Sequence, residues 1–312
     1  MIKVALCYSG AVRGLLKNLP QIKEVFFHED IFEIDYYFYG DPLGASIRTD
    51  DVEKGKNEPQ GLKIKTEMPE FNCLFEDDRG DDHNKRMLNF KTKIYNYHMP
   101  YEQQVLQWYG VNKVFDYAFS KEKEYDIYFR IRPDIFPAGK LKFDWSSFDK
   151  KTIYAPFMGN FGGLNDRFAF GSKEAMNIYS SFYDSEVYYR GPSLDLAEKS
   201  KKYFEKIYKV VPVDKMHPNI LDPEKKSQWC QEHKAAYKYG VSAINSELRL
   251  FNHIINNGLD IELLNPEFVH IGAVRNDDGI IRYFGPEFEG LLLKYNQIKE
   301  EDLKYDRPKW WE

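Results

Sequence analysis

The chain has 312 residues, of which 30% are charged and 43% hydrophobic, with a formal net charge of −5. That length buries a sizeable core as one large domain or two fused lobes. The acidic balance argues against a general nucleic-acid binder, whose footprint is basic, and no run approaches the roughly 20 apolar residues of a membrane helix. In chain order, residues 3–8 form a short apolar run that ends in Ser9-Gly10-Ala11-Val12-Arg13-Gly14. Leu15, Leu16, Leu19, Ile22, Val25 and Phe26 then recur at helical spacing. Pro20 falls inside that pattern and is expected to mark the true first turn of the helix. A second strand covers 34–39 and stops at Gly40-Asp41-Pro42. This β-loop-α-β opening is how parallel α/β sheets begin.

Residues 42–85 are polar and poorly periodic and read as an insertion or lid; their acidic run, 76–82, reads as a solvated loop. Helical pattern covers 87–97 and, after Pro100, 101–121. Gln103, Gln104 and Gln107 read as the polar flank of that second helix. A buried strand at 125–131 then runs into Arg132-Pro133-Asp134. Alternation along a strand puts Arg130, Arg132 and Asp134 on one face, and Pro133 ends regular pairing. Further along, 152–156 is a strand and 158–163 a Gly-rich loop. Asn165-Asp166-Arg167 precedes an apolar strand, and a helix over 173–183 has Ser172 as its N-cap. Residues 194–210 read as a helix and 211–240 as irregular. An amphipathic helix covers 242–257, stopped by Gly258. A strand at 260–264 follows, then a hairpin, 268–275 and 280–284, around Asp278-Gly279. Without internal repeats or linkers, residues 1–290 read as one domain and 291–312 as a C-terminal tail.

Aromatic residues make up 16% of the chain; they are core builders first and stacking platforms for sugars or bases second. The cysteines, Cys7, Cys73 and Cys230, are scattered and odd in number, which fits a reducing compartment. Cys230 and His233 have metal-like spacing but no second pair. No signal-peptide pattern opens the chain, so the expectation is a cytoplasmic protein.

Two cations and a carboxylate at the end of a buried strand are costly unless they pair or bind something. One reading is an internal Arg–Asp ion pair that closes the strand. The other is a site for a diphosphate with a divalent metal. The loop after the first strand lacks the G-x-G-x-x-G spacing of a dinucleotide fold, yet it is where α/β sheets bind nucleotides. Arg13 there either pairs with phosphate or is a surface residue at a helix start. Asp166 is a hydrogen-bonding or basic carboxylate, or the residue of an Asx turn. Glu247 either acts chemically or suits the N-terminus of its helix. His270 is either a satisfied core histidine or a metal ligand.

Taken together, the opening from Val4 to Arg13, the strand at Asp35, the Tyr125-Asp126…Arg130-Ile131-Arg132-Pro133-Asp134 segment, Asp166-Arg167-Phe168…Gly171 and Ser246-Glu247 resemble GT-A-type glycosyltransferases of large DNA viruses, algae and bacterial surface-polysaccharide loci. The resemblance implies a single GT-A-like, Rossmann-like nucleotide-binding α/β domain with a mostly parallel central sheet flanked by helices. It implies a nucleoside-diphosphate sugar donor and a glycan or other hydroxyl acceptor. Tyr8, Ser9, Gly10, Arg13, Arg130 and Arg132 would bind the donor. A divalent metal, Mn²⁺ or Mg²⁺, would sit on Asp134 with His270 as a further ligand, and Asp166 or Glu247 would be catalytic. The family's Asp-x-Asp reads Arg132-Pro133-Asp134 here, one carboxylate instead of two. Other readings that stay open are a nucleotidyltransferase, an oxidoreductase, or a non-catalytic carbohydrate-binding protein of the same fold.

Overall fold

The computed structural model describes residues 1–10, 12, 15–28, 30–40, 60–75, 95–96, 99–156, 164–187, 246–264, 270–274 and 281–282. Strand β1 (Ile2–Ser9) is apolar on both faces because helices cover both. It pairs in parallel with β2 (Phe32–Gly40) on one side and with β6 (Ile127–Ile131) on the other. β3 (Phe71–Phe75) extends the sheet beyond β2. On the far side of β6 stands β9 (Phe168–Gly171), antiparallel, followed by β8 (Thr152–Pro156) and β10 (Asp260–Leu264). The order across the seven strands is β10-β8-β9-β6-β1-β2-β3. This is the expected α/β class, a mostly parallel central sheet with helices on both sides.

Alternation along the strands sorts the core into two layers. Val4, Leu6, Tyr8, Phe38, Phe129, Ile131 and Phe170 face one side. Helix α1 (Leu15–Gln21), a π-helical turn (Ile22–Phe26) and Ile64 of α2 (Gln60–Glu67) cover it. Ala5, Cys7, Tyr37, Tyr39 and Tyr128 face the other. There α3 (Tyr101–Phe119) packs through Trp108, Val111, Val114 and Phe115. Helices α4 (Lys173–Ser180), α5 (Phe182–Val187) and α6 (Ser246–Asn256) complete that layer.

Ser172 caps α4 as predicted, its hydroxyl accepting from the Ala175 N–H at 3.1 Å. Gly258 ends α6 with φ +76°, the left-handed conformation that glycine adopts without a Cβ penalty. A second sheet joins β7 (Ile135–Ala138), β11 (His270–Val274) and β12 (Ile281–Arg282), with β11 and β12 antiparallel as the hairpin signal required.

Three expectations change. Within 42–85, read as poorly periodic, Gln60–Glu67 and Phe71–Phe75 are regular structure, α2 and the edge strand β3. Helix α1 begins at Leu15, before Pro20. Pro20 has no N–H to donate, and the chain continues as a π turn closed by the Phe27 N–H on the Ile22 carbonyl at 3.0 Å. Tyr95–Asn96 is not helical but a short strand, β4, paired with β5 (Met99–Pro100). The remaining parts of 42–85, the predicted helix at 194–210 and the tail at 291–312 lie outside the described residues.

Candidate active site

The side chains of interest gather at the carboxyl ends of β1 and β6, on the layer that carries α3. Cys7 lies opposite Arg130 in the β1/β6 register, so two residues further along β1 the Ser9 side chain emerges on the same face. The Arg130 Nη1 donates to Ser9 Oγ at 2.9 Å and to its neighbour's carbonyl, that of Ile131, at 3.3 Å. Helix α3 approaches Ser9 closely through Gly110, where an added Cβ would stand 3.4 Å from the Ser9 Cβ. Gly10 then turns the chain with φ +109°, its N–H donating to the Tyr39 carbonyl at 3.1 Å. At that φ any side chain is strained. Gly40, at the end of β2, has no room for one either: a Cβ there would lie 3.0 Å from the Gly10 carbonyl oxygen and closer still to the Phe38 ring.

Arg130 is only 1% exposed. Burial pushes its guanidinium down to about 10, so it remains a cation at neutral pH. Among the described residues no carboxylate forms an ion pair with it, and its Nε has no hydrogen-bond partner. Asp166 and Asp134 act on it only through their longer-range fields.

Arg132 is arranged differently. Its Nε and Nη2 donate to the two oxygens of Asp134 at 2.9 and 2.8 Å, a bidentate pair. Its Nη1 lies 3.7 Å from Asp166 Oδ2. Burial opposes the Arg132 charge, but Asp134 and Asp166 outweigh it and hold the group protonated well above its ordinary range. Asp134 reaches Arg132 because β6 stops at Ile131 and the chain reverses in a turn closed by the Ile135 N–H on the Arg132 carbonyl at 3.0 Å. The strand-closing ion pair foreseen as one reading is therefore present.

Asp166 arrives from the start of β9. The antiparallel course of β9 carries residue 167 to the end of β6, where the Arg132 N–H donates to the Arg167 carbonyl at 2.9 Å. The Asx turn here belongs to Asn165, whose Oδ1 accepts from the Arg167 N–H at 2.7 Å. The Asp166 carboxylate instead accepts from Gln107 of α3 and faces Arg132 and Arg167. Burial raises the Asp166 carboxyl, but those two arginines, the Gln107 hydrogen bond and Arg130 more than reverse this and hold it below the ordinary carboxylate range. Glu247, in the first turn of α6, belongs to the same cluster: its field reaches Arg132 and Tyr179, and its carbonyl accepts from the Leu164 N–H at 2.9 Å.

Other predicted residues fall elsewhere. The Tyr8 ring is buried in the opposite core layer against Phe71, with 5.7 Å between ring centroids. Arg13 lies outside the described residues. His270 pairs with Ala138 in the β11/β7 register, four residues beyond Asp134. That is roughly 13 Å of strand, so the register does not bring the two metal candidates together; the His270 side chain lies outside the described residues. Asp35 accepts from the Tyr125 hydroxyl at 2.5 Å and from Lys123 at 2.7 Å. These two motif residues thus brace the other end of the sheet.

The divalent metal that the resemblance implies does not fit these residues. Both Asp134 oxygens accept from Arg132, and the carboxylate is 1% exposed. Among the described residues no group of three or more His, Cys, Asp or Glu could hold a metal ion. Hard cations need several oxygen ligands, and here the oxygens are turned to guanidinium.

Gln107 and Tyr179 were not foreseen. Gln107 left a signal: it falls on the stripe 107-111-114-118, whose other members are buried apolar residues, and a polar side chain in such a stripe has a polar partner. Tyr179 reads as an ordinary core aromatic and left none.

No known family model matches the chain, and no curated protein does. Among solved structures the chain is similar to mouse xyloside xylosyltransferase 1 in its apo form, at 10% identity, covering 85% of each chain, with a TM-score of 0.38. A likeness this remote assigns no activity. Among the described residues no helix is long and apolar enough to cross a membrane.

Proposed function

We propose that the chain is a GT-A-type glycosyltransferase that moves a sugar from a nucleoside-diphosphate donor to a glycan or other hydroxyl acceptor. The observation that carries this reading is Arg130: a buried cation without an ion-pair partner among the described residues, beside the first βα loop, at the carboxyl edge of a parallel sheet. Ligands of open α/β sheets bind at that edge, and an unpaired buried charge is costly enough to need a reason. In the proposed roles, the Ser9-Gly10 loop lies along the nucleotide, and Arg130 and Arg132 face the diphosphate.

Transfer breaks the bond between the anomeric carbon and the diphosphate oxygen, and the electron pair leaves on that oxygen. Preorganised cations in a water-poor site stabilise this charge as it develops. The acceptor oxygen forms the new bond to the anomeric carbon. In an inverting displacement Asp166, held ionised, takes the acceptor proton. In a retaining one it accepts hydrogen bonds from sugar hydroxyls, and Glu247 is the second carboxylate at hand in either case.

The test is incubation with a panel of nucleoside-diphosphate sugars and simple glycoside acceptors, with release of nucleoside diphosphate as the readout. At least one donor should be consumed. Arg132→Ala should lower turnover about a hundredfold, the loss of about 3 kcal/mol of transition-state stabilisation. Wild-type turnover in that variant, or no donor consumed by the parent protein, would sink the reading.

A further inference from the structure

The polar groups left over around Arg130 are nearly all donors. Its Nε–H has no partner, and Tyr179 and Trp108, both fully buried, have no partner for the hydroxyl and the indole N–H. The three belong together. The Tyr179 and Trp108 rings are 5.4 Å apart, and α4, which carries Tyr179, packs on β6, which carries Arg130. An indole N–H and a guanidinium N–H only donate, and a tyrosine hydroxyl donates readily. Buried donors without acceptors call for an anion; a cation needs the reverse. Of the nearby carboxylates, Asp134 is taken by the fork of Arg132 and Asp166 by Gln107 and the field of Arg132, while Glu247 reaches Tyr179 and Arg132 through its field.

We propose that this site seats the donor's diphosphate on arginine and neutral donors alone, Arg130 with Tyr179 at its centre, so that donor binding needs no divalent metal. The proposal rests on the donor reading above and gives it a charge mechanism. Asp134 is then a positioning residue. Its two oxygens hold the Arg132 fork and leave Nη1 turned towards Asp166.

A thermal-shift titration of the full chain with UDP, GDP, ADP, CDP and dTDP, each in EDTA and in Mn²⁺, tests this. At least one nucleoside diphosphate should raise the melting temperature in EDTA, with an affinity within about threefold of that in Mn²⁺. Tyr179→Phe, which removes a single oxygen, should keep the fold and weaken that affinity about fivefold, one hydrogen bond's worth. Arg130→Met should abolish the shift without lowering the ligand-free melting temperature, since it removes an unpaired buried charge. A melting temperature that drops in Arg130→Met while the shift survives would make Arg130 structural and overturn the proposal. Shifts that appear only with Mn²⁺ overturn it and leave the transferase reading standing. No shift with any diphosphate in either condition overturns both. A shift in EDTA from a protein that consumes no sugar nucleotide supports the anion seat and removes the transferase reading instead.

Discussion

The two faces of β6 differ as much as any two regions of the molecule. On one, Phe129 and Ile131 join a continuous apolar layer, with Phe129 stacked on Phe170 at 4.7 Å between centroids and edge-on to Phe27 at 5.3 Å. On the other, one residue away in each direction, Arg130 and Arg132 face Ser9, Asp134 and Asp166 under α3. The strand and its neighbours in the sheet are the same, so position in the sheet does not dictate charge. What differs is how each face meets its burial cost. The aromatic face gains from area removed from water. The charged face gains little that a well-packed apolar core would not supply. That asymmetry is the physical ground for treating the charged face as the working one.

Three experiments sharpen the contrast. The largest effect is expected on the apolar face. Phe129→Ala should cost about 3–5 kcal/mol of stability, the range for emptying a buried aromatic site, read as a shift of the denaturant midpoint. A loss under 1 kcal/mol would mean that this layer is looser than its geometry indicates.

Next comes Asp134→Asn on the charged face. It keeps the size and one acceptor oxygen but removes the carboxylate that pairs bidentately with Arg132, leaving only the more distant Asp166. Breaking a buried pair in this way costs about 3 kcal/mol. Melting of the variant and of the parent protein should respond to Mn²⁺ alike. A variant as stable as the parent that has lost an Mn²⁺ response the parent shows would make Asp134 a metal ligand after all.

The smallest effect lies away from both faces, at His253 of α6. Its Nε2 donates to the Ile178 carbonyl at 2.8 Å, and its Nδ1 accepts from the Ser185 hydroxyl at 2.9 Å. Burial lowers the ring below its ordinary value of 6.5. The unfolded chain therefore binds the proton first, and the contribution of His253 to stability is complete above pH 6.5 and declines as pH falls below it. Denaturation at pH 7.5 and at pH 5.5 should show a loss for the parent protein that is smaller in His253→Gln. Equal losses in the two proteins would show that the ring does not carry the effect.

Much of the frame was legible in the sequence. The apolar runs of β1 and β6, the Ser172 cap and the Gly258 stop are written in neighbouring residues, as is the break in pairing just before Pro133. The edge strand β3 was not: five residues, Phe71–Phe75, beside a helix without strong apolar periodicity leave little pattern to find. Pro20 misled because it lies inside α1 and not at its start, and the chain runs on from that helix into a π turn. At the site, Arg130, Arg132, Asp134, Asp166 and Glu247 are all candidates from the sequence, and the Arg–Asp pair that closes the strand is one of its two readings; the Ser9 partner of Arg130 and the Gln107 partner of Asp166 are not. Alternation put Asp134 on the face of the arginines as a ligand for something else, while the turn at 133–134 returns it to Arg132.

By itself the sequence determined most of the strands and helices, which face of each is apolar, and that unusual charge stands at the end of a buried strand. These follow from period and composition within a dozen residues. Only the tertiary structure decided which charges meet. Gln107 finds Asp166 across 59 positions because α3 lies on the sheet where Gly110 lets it approach Ser9. Asp166 finds Arg132 because β9 runs antiparallel to β6 and delivers its first residues to that strand's end. Arg130 keeps an uncompensated charge for the same reason: long-range register gives its neighbours' carboxylates to other donors, and no local pattern records that allocation.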